Sequence, residues 1–365
     1  MKPGMKKVLF FLRSIMTTVA IVSLLLLIVA SFSDRISPLS TVLPAYLGLF
    51  FPFLLIWNII LLVLWLFFQK WKQVAMSVVG FLICSLAIYT YFPIHLQTKV
   101  VPQNCIKVLT YNVQEFEWHK QHTEKKPNKI LQYVVQQNPD IVCFQEFMLA
   151  YDKNYLTTDD VMHALEHFSY HHIDMESKIA VFSKFPIVDA QKIPVETEHT
   201  NGAFMVELNV NWRSVMLINN HLESNKISDD ERTEFKDMTK DPDAHKMKRF
   251  FENTLFNRMT PAFKWRAKQA DAIAEVIKNS KDTYIIVCGD FNDTPISYAH
   301  HKIKGDLVDS FNESGSGMGI TFNTHHFYFR IDYIFHSKNM KSYNTTVGKL
   351  RNSDHYPLVT YLQMN

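Results

Sequence analysis

Apolar positions along this chain follow two different patterns. Before residue 100 they form long runs: Ile15–Phe32, Val42–Phe68 and Val74–Phe92 each lack a charged side chain and are long enough to cross a bilayer as a helix. Lys2, Lys6, Lys7 and Arg13, followed by small residues near Ala30, would also suit a cleavable signal peptide, but two anchors would remain after cleavage. Pro44 and Pro52 in the second run suit a re-entrant or kinked segment, although membrane helices tolerate proline and a full span is expected. The pattern predicts a membrane anchor of about three transmembrane helices in residues 1–95, a polar linker at 96–104 and a folded domain over 105–365.

From Cys105 onward the apolar runs are short. IKVLTYN, DIVCFQ, KIAVFS, AFMVELNV, SVMLINN, YIIVCGD, RIDYIF and PLVTYLQ read as strands, and helical periodicity marks Asn128–Gln137, Asp159–His167 and Lys264–Lys278. Several strands follow one another with no helix between them, which predicts an α/β sandwich of mixed sheets over a doubly wound parallel sheet. Residues 224–261 stand apart, dense in charges of both signs, with Phe250, Phe251, Leu255, Phe256 and Met259 toward the end. Such a segment either packs an apolar stripe on its own domain or forms a lid or membrane-facing element after His221.

Charge changes the picture of partners. The chain has 38 Lys and Arg against 35 Asp and Glu, yet eight of the basic residues and one of the acidic lie in positions 1–100, leaving a mildly acidic 30 against 34. Proteins that hold long nucleic acid through many phosphates carry a basic excess, so nucleic acid is admitted as a partner but not favoured. The basic tail and the turn holding Lys70 and Lys72 are expected to face the cytoplasm. Three crossings then place everything after Phe92 outside it, as a multi-pass inner-membrane protein with a periplasmic or extracytoplasmic domain. Cys84, Cys105, Cys143 and Cys288 show no metal or redox spacing and are expected as free thiols, with a pairing of Cys105 left open.

Polar residues close several of the strand-like runs: Asn112, Glu146, His221, Asp290 with Asn292, Asp332, and Asp354 with His355. A rigid scaffold can aim such groups into one pocket. Hydrolysing a phosphoester needs charge neutralised on the phosphoryl oxygens, an activated water and a stabilised leaving oxygen. Glu146 is a hard oxygen ligand of the kind Mg²⁺ takes, an ion that uses only one or two protein carboxylates. Asp290 and Asn292 project to one side of an extended backbone, setting a water-polarising carboxylate beside an amide donor. Asp354 and His355 must point apart, one toward a metal and one toward the phosphate, with Asp332 able to hold the imidazole. Taken singly each residue has a structural reading; the joint order is what carries the chemistry. The sixteen histidines, His171, His172, His325 and His326 among them, show no zinc-ligand spacing, so a dedicated zinc site is not expected.

In LTYNV, FQE, GDFND, RIDYI and SDHYP, supported by KIAVFSKFPI and WRAKQADAI, residues 105–365 resemble the endonuclease/exonuclease/phosphatase superfamily, the deoxyribonuclease I-like fold. The resemblance implies a four-layer sandwich of two packed mixed β-sheets flanked by helices, and a metal-dependent phosphoric ester hydrolase. It puts Glu146, Asn112 and Asp354 on the metal, magnesium or alternatively manganese, and gives Asp290 the attacking water. Asn292, with Asn112 and His221, would bind the scissile phosphate, while Asp332 and His355 would stabilise the phosphoryl group or relay a proton. His221 resembles the additional histidine of the deoxyribonuclease and sphingomyelinase-like branches, an acid for the leaving oxygen. Lys178 departs from the pattern, since relatives often carry glycine there, and the 224–261 segment is longer than a minimal member needs.

The expected function is a membrane-anchored phosphoesterase acting where its substrate is concentrated, such as a phospholipid or sphingolipid head group. An extracytoplasmic nuclease is the alternative. A catalytically silent binding domain is disfavoured, because clustered buried charges cost stability when they serve no metal or substrate. Protein partners are not indicated by the sequence.

Overall fold

The computed structural model describes residues 3–365 except 118, 119, 121–126, 150–154, 226–232, 234–236, 238–242, 244, 246–250, 325 and 326. It divides the chain into two units, Met1–Tyr91 with Ile296–Tyr298, and the remainder from Phe92. Much of the charged segment 224–261, and the pair His325 and His326, lie outside the described residues.

In the first unit, helix α1 (Pro3–Ser31) contains Phe10–Ser31, a stretch long and apolar enough to cross a membrane. The second and third expected spans are broken. Helix α2 (Leu43–Leu49) meets α3 (Phe51–Phe67) at 62°, and α4 (Trp71–Ile83) meets α5 (Ser85–Tyr91) at 63°. Of the about three spans expected, one helix qualifies alone, and up to three do if each bent pair counts as one. Pro52 explains the first break: its ring clashes with the carbonyl four residues back, so α2 cannot run through it. The second falls at Cys84, whose ψ of 0° departs from helical values. Helices α1 and α3 meet through a polar contact, in which the Asn58 amide donates to the Ser23 and Leu54 carbonyls and accepts from the Ser23 hydroxyl.

The second unit rests on two six-stranded mixed sheets among the described residues. Sheet one contains β1 (Cys105–Asn112), β2 (Ile141–Gln145), β3 (Tyr170–Asp174), β4 (Ile179–Ser183), β13 (Met340–Val347) and β14 (Leu358–Met364), in the order β13-β14-β1-β2-β4-β3. Sheet two contains β5 (Ile187–Ile193), β6 (Gly202–Val210), β7 (Arg213–His221), β8 (Tyr284–Asp290), β9 (Val308–Asp309) and β12 (Asp332–His336), in the order β5-β6-β7-β8-β12-β9. A short ribbon pairs β10 (Phe322–Thr324) with β11 (Phe327–Phe329). Strands β1 and β2 are parallel, with Asn112 opposite Gln145, and β7 and β8 are parallel, with His221 opposite Asp290.

Side-chain alternation decides the layers. Val108, Cys143 and Val181 of sheet one meet Val206, Leu217, Ile286 and Ile334 of sheet two in a shared core. The opposite face of sheet one, with Leu109, Val142, Phe144 and Phe182, packs on Ile130 and Val134 of α6 (Lys129–Gln137) and Val161 of α7 (Thr158–Ala164). The outer face of sheet two, with Met216, Ile218, Val287 and Phe335, packs on Ala270 and Ile273 of α8 (Thr260–Asn279) and Ile303 of α9 (Tyr298–Lys304). Asn128 caps α6, its side chain accepting from the Ile130 and Leu131 amides. The fold is therefore the expected four-layer sandwich of two mixed sheets flanked by helices.

One buried amide ties the sheets together. Asn219 of β7 donates to the carbonyls of Phe144 and Ala180, both at 3.0 Å, and accepts from Gln145 Nε2 at 2.7 Å. Within the expected linker, Thr98 and Asn344 exchange two hydrogen bonds of 2.7 and 2.9 Å, and just before it the Pro93 carbonyl accepts from Gly317 N. All four cysteines are free.

Candidate active site

The ends of β1, β2, β7 and β8 supply one cluster of polar groups from both sheets. Asn112, almost fully buried, donates its amide to Glu146 Oε1 at 3.2 Å and to Asp290 Oδ2 at 3.0 Å, bridging the halves. Glu146 follows β2 in the left-handed region, at φ 54°, so the chain leaves the strand there. The strain of that conformation is typical of functional sites. Asp290 ends β8 after Gly289, whose φ is 147° and whose added Cβ would stand 1.9 Å from the Asn220 carbonyl oxygen. Only glycine allows β7 and β8 to approach so closely one residue before Asp290.

Two further groups converge on Asp290 Oδ2. His221 Nε2 lies 3.6 Å from it and 3.9 Å from Glu146 Oε1, with no hydrogen bond of its own among the described residues. His355 Nε2 lies 3.6 Å from the same oxygen. Its Nδ1 is 2.8 Å from Asp332 Oδ2, and Asp332 sits directly across the ladder from Asp290. The second Asp332 oxygen, buried, has no hydrogen-bond partner among the described residues. Asp354 lines a neighbouring cleft, its backbone N–H bonded to Gln114 Oε1.

Asn292 differs from the expected extended geometry. It has φ 52°, and its backbone N–H donates to Asp290 Oδ1 at 2.8 Å while its side chain donates to the Leu222 carbonyl. A turn closed by the aspartate replaces the strand, because Asp and Asn readily hydrogen-bond backbone two residues on. Lys178, where glycine was the familial expectation, takes φ 52°, and its ammonium pairs with Glu115 at 3.1 Å.

Electrostatics separate the groups. Burial pushes Asp290 up to about 6 against the pull of His355, with Asp332 adding to the rise. Glu146 is also raised, first by desolvation and then by Asp354, although about a third of its side chain is accessible. Burial lowers His221 and so favours neutral imidazole. Burial opposes charge on His355 too, but the carboxylates of Asp332 and Asp290 outweigh it and hold the ring at about 10, protonated at neutral pH.

The donor set fits a divalent cation. Glu146 and Asp354 offer carboxylate oxygens and Asn112 an amide oxygen that already accepts from Gln114 N, and the carboxylates of Glu146 and Asp290 are raised, first by burial and then by neighbouring carboxylates. Asp290, Asp332 and His355 also bring ligand-type atoms within 4.8 Å of one another. The 2.8 Å contact between His355 Nδ1 and Asp332 is a hydrogen bond, however, and leaves no space between those atoms for an ion.

Sequence reasoning missed the groups that hold the site in place. Thr321 Oγ1 accepts from the Ile331 and Asp332 amides, and its carbonyl accepts from Tyr356 N, tying both dyad segments together. Ser353 donates to the Asn112 carbonyl and accepts from His355 N. Hydroxyls in loops carry no periodic signal; proximity of Ser353 to the SDH motif was the one available hint.

This fold and this site define a metal-dependent phosphoester hydrolase. The model of the endonuclease/exonuclease/phosphatase family matches residues 109–355, and that of a domain of unknown function matches residues 13–91. The chain belongs to the endonuclease/exonuclease/phosphatase family. No curated protein matches it. Among solved structures, the human nocturnin catalytic domain with bound sulfate is 16% identical with a TM-score of 0.50, covering 73% of this chain and 97% of that one. Truncated TDP2 from Caenorhabditis elegans is 16% identical with a TM-score of 0.48, covering 71% and 97%. The endonuclease/exonuclease/phosphatase from Beutenbergia cavernae is 15% identical with a TM-score of 0.48, covering 72% of each. The likeness to nocturnin is one of fold.

Proposed function

We propose that the protein is a membrane-anchored, magnesium-dependent phosphoesterase that cleaves a phosphodiester or phosphomonoester at the membrane surface, such as a lipid head group. The observation that carries the reaction centre is the meeting of Asp290, Glu146, His221 and the Asp332–His355 dyad at the ends of two sheets.

Glu146, Asn112 and Asp354 would hold the cation, Mg²⁺ or alternatively Mn²⁺, which would supply charge neutralisation at the phosphoryl oxygens. Asp290, with a pKa near neutrality, positions the attacking water and takes its proton. Protonated His355, oriented by Asp332, donates Nε2–H to a phosphoryl oxygen, and the Asn292 amide binds the scissile phosphate beside it. His221 Nε2, which has no hydrogen bond among the described residues, donates to the leaving oxygen.

The apolar Phe10–Ser31 helix and the acidic balance after residue 100 support a membrane-borne substrate. The basic N-terminal tail and the turn with Lys70 and Lys72 favour a multi-pass arrangement with the catalytic domain outside the cytoplasm. The test is Mg²⁺-dependent turnover by the intact protein of phospholipid and sphingolipid vesicles, DNA and simple monoesters, beside Asp290→Ala. Lipid turnover that Asp290→Ala abolishes supports the reading. Turnover of DNA alone replaces it with an extracytoplasmic nuclease, and turnover of nothing favours a silent binding domain.

A further inference from the structure

Arg266, on α8, is 1% exposed, and its guanidinium reaches toward both halves of sheet two's catalytic edge. Nε donates to Asp293 Oδ2 at 3.1 Å, while Nη1 donates to the Glu223 carbonyl at 2.8 Å and to Asn225 Oδ1 at 2.9 Å. One side chain therefore holds both the segment that follows His221 and the turn that contains Asn292. Gln269, one turn along the same helix face, accepts from Glu223 N at 2.9 Å and donates to the Glu196 carbonyl at 3.0 Å. Both backbone groups of Glu223 are thus bonded to α8.

These bonds close into a ring. Leu222 N–H donates to the Asp290 carbonyl at 2.9 Å, and the Leu222 carbonyl accepts from Asn292 Nδ2 at the same distance. From Arg266 through Glu223 and Leu222 to Asn292, and back through Asp293, every link is covalent or hydrogen-bonded. His221 precedes the ring on one arm and Asp290 on the other. His221 Nε2 stands 3.6 Å from Asp290 Oδ2 with no hydrogen bond among the described residues, so backbone and packing set where that nitrogen lies.

A buried ion pair is weak evidence of stabilisation, since apolar residues of similar volume often serve a core as well. Apolar residues do not, however, fix two polar loops at set distances from each other. The guanidinium does so through three bonds at fixed angles, and the Phe263 ring lies 4.9 Å from Cζ to orient its plane. A lysine ammonium would keep a charge beside Asp293 and lose that geometry. We propose that Arg266 is a positioning residue for the reaction, one that fixes His221 against the Asn292 turn so that Nε2 meets the leaving oxygen of the bound phosphate. This rests on the hydrolytic reading above, in which His221 serves that oxygen.

The experiment reads leaving-group dependence in the intact protein with Mg²⁺. Aryl esters of phosphate or of methyl phosphate, whichever are turned over, run from p-nitrophenyl, which departs without a proton, to p-methoxyphenyl, which needs one. His221→Ala should cost little on the first and about 10²-fold on the second, the worth of a positioned acid. Arg266→Lys should keep p-nitrophenyl turnover within about threefold and lower kcat for p-methoxyphenyl about 10- to 100-fold with KM unchanged, since a small misplacement carries that cost. NMR of the metal-free protein should show the His221 ring signals shifted in the same variant. Asn225→Ala removes one acceptor at a half-buried position without touching the charge. It should lower p-methoxyphenyl relative to p-nitrophenyl turnover about two- to tenfold, the worth of one hydrogen bond, and decides the matter if the lysine variant does not fold.

A ratio between the two esters that Arg266→Lys leaves unchanged, whether turnover is kept or lost equally, overturns the proposal, as does an unmoved ring. Where only Asn225→Ala folds, a ratio it leaves unchanged overturns it. A ratio unmoved by His221→Ala overturns the role given to His221 above and this proposal with it. No turnover of any ester by the parent protein overturns the hydrolytic reading itself.

Discussion

His355 Nδ1 and Asp332 Oδ2 lie 2.8 Å apart in a buried pair that joins the last motif of the chain to the start of β12. Burial alone would strip the imidazole of its proton, so a pKa of about 10 reflects the surrounding carboxylates. Asp332→Asn should lower the His355 pKa, read by NMR titration of the ring, and reduce kcat by roughly 10²–10⁴-fold, the usual worth of a positioned proton donor. An unchanged ring pKa would count against the dyad.

Protons compete with the proposed cation for Glu146 and with the attacking water for Asp290. Asp290, at about 6, and Glu146, also raised, take up protons as pH falls, and a protonated carboxyl is a poor metal ligand or water base. Calorimetry should show Mg²⁺ affinity weakening from pH 7.5 to pH 5, roughly tenfold per proton displaced and pH unit below the pKa. Affinity flat across that range would place the ion elsewhere.

Asn219→Ala should destabilise the catalytic unit by about 1–3 kcal/mol, since it leaves the buried Phe144 and Ala180 carbonyls and the Gln145 amide without their partner. The check is the urea or thermal midpoint of the purified protein, and a shift within error would show that the sheets do not rely on this amide.

Glu313 accepts from His336 Nε2 at 3.1 Å and from the Ser342 amide and hydroxyl at 2.6 and 2.7 Å. Burial works to raise its pKa, yet these bonds hold it at about 2, below its ordinary 4.5. A depressed carboxylate contributes stability that is complete above pH 4.5 and lost as pH falls through about 2. Glu313→Gln should therefore melt below the parent protein at pH 7, with the gap closing between pH 4.5 and 2.

How much of this was legible depended on position within the sheets. The eight strands read from apolar runs are the eight interior strands, β1, β2, β4, β6, β7, β8, β12 and β14. The four edges, β3, β5, β9 and β13, were missed. An interior strand buried on both faces, such as Ile141–Gln145, must be apolar throughout, whereas Tyr170–Asp174 at an edge keeps polar side chains in water. The chemical groups were legible because they end interior strands. The left-handed turn at Asn292 and the break at Cys84 were not, since both depend on local closures that periodicity does not register, whereas Pro52 marked the first helix break.

Asn112 and Glu146 ride on one sheet, while His221, Asp290 and Asp332 ride on the other. The candidate site is thus a gauge of sliding between the two. A slip of a single residue, about 3.3 Å along a strand, would draw the halves apart while leaving each sheet's ladder whole. Heat or denaturant should silence the enzyme in loosened states that still keep their secondary structure. An enzyme assembled across such a seam fails by going quiet before it comes apart.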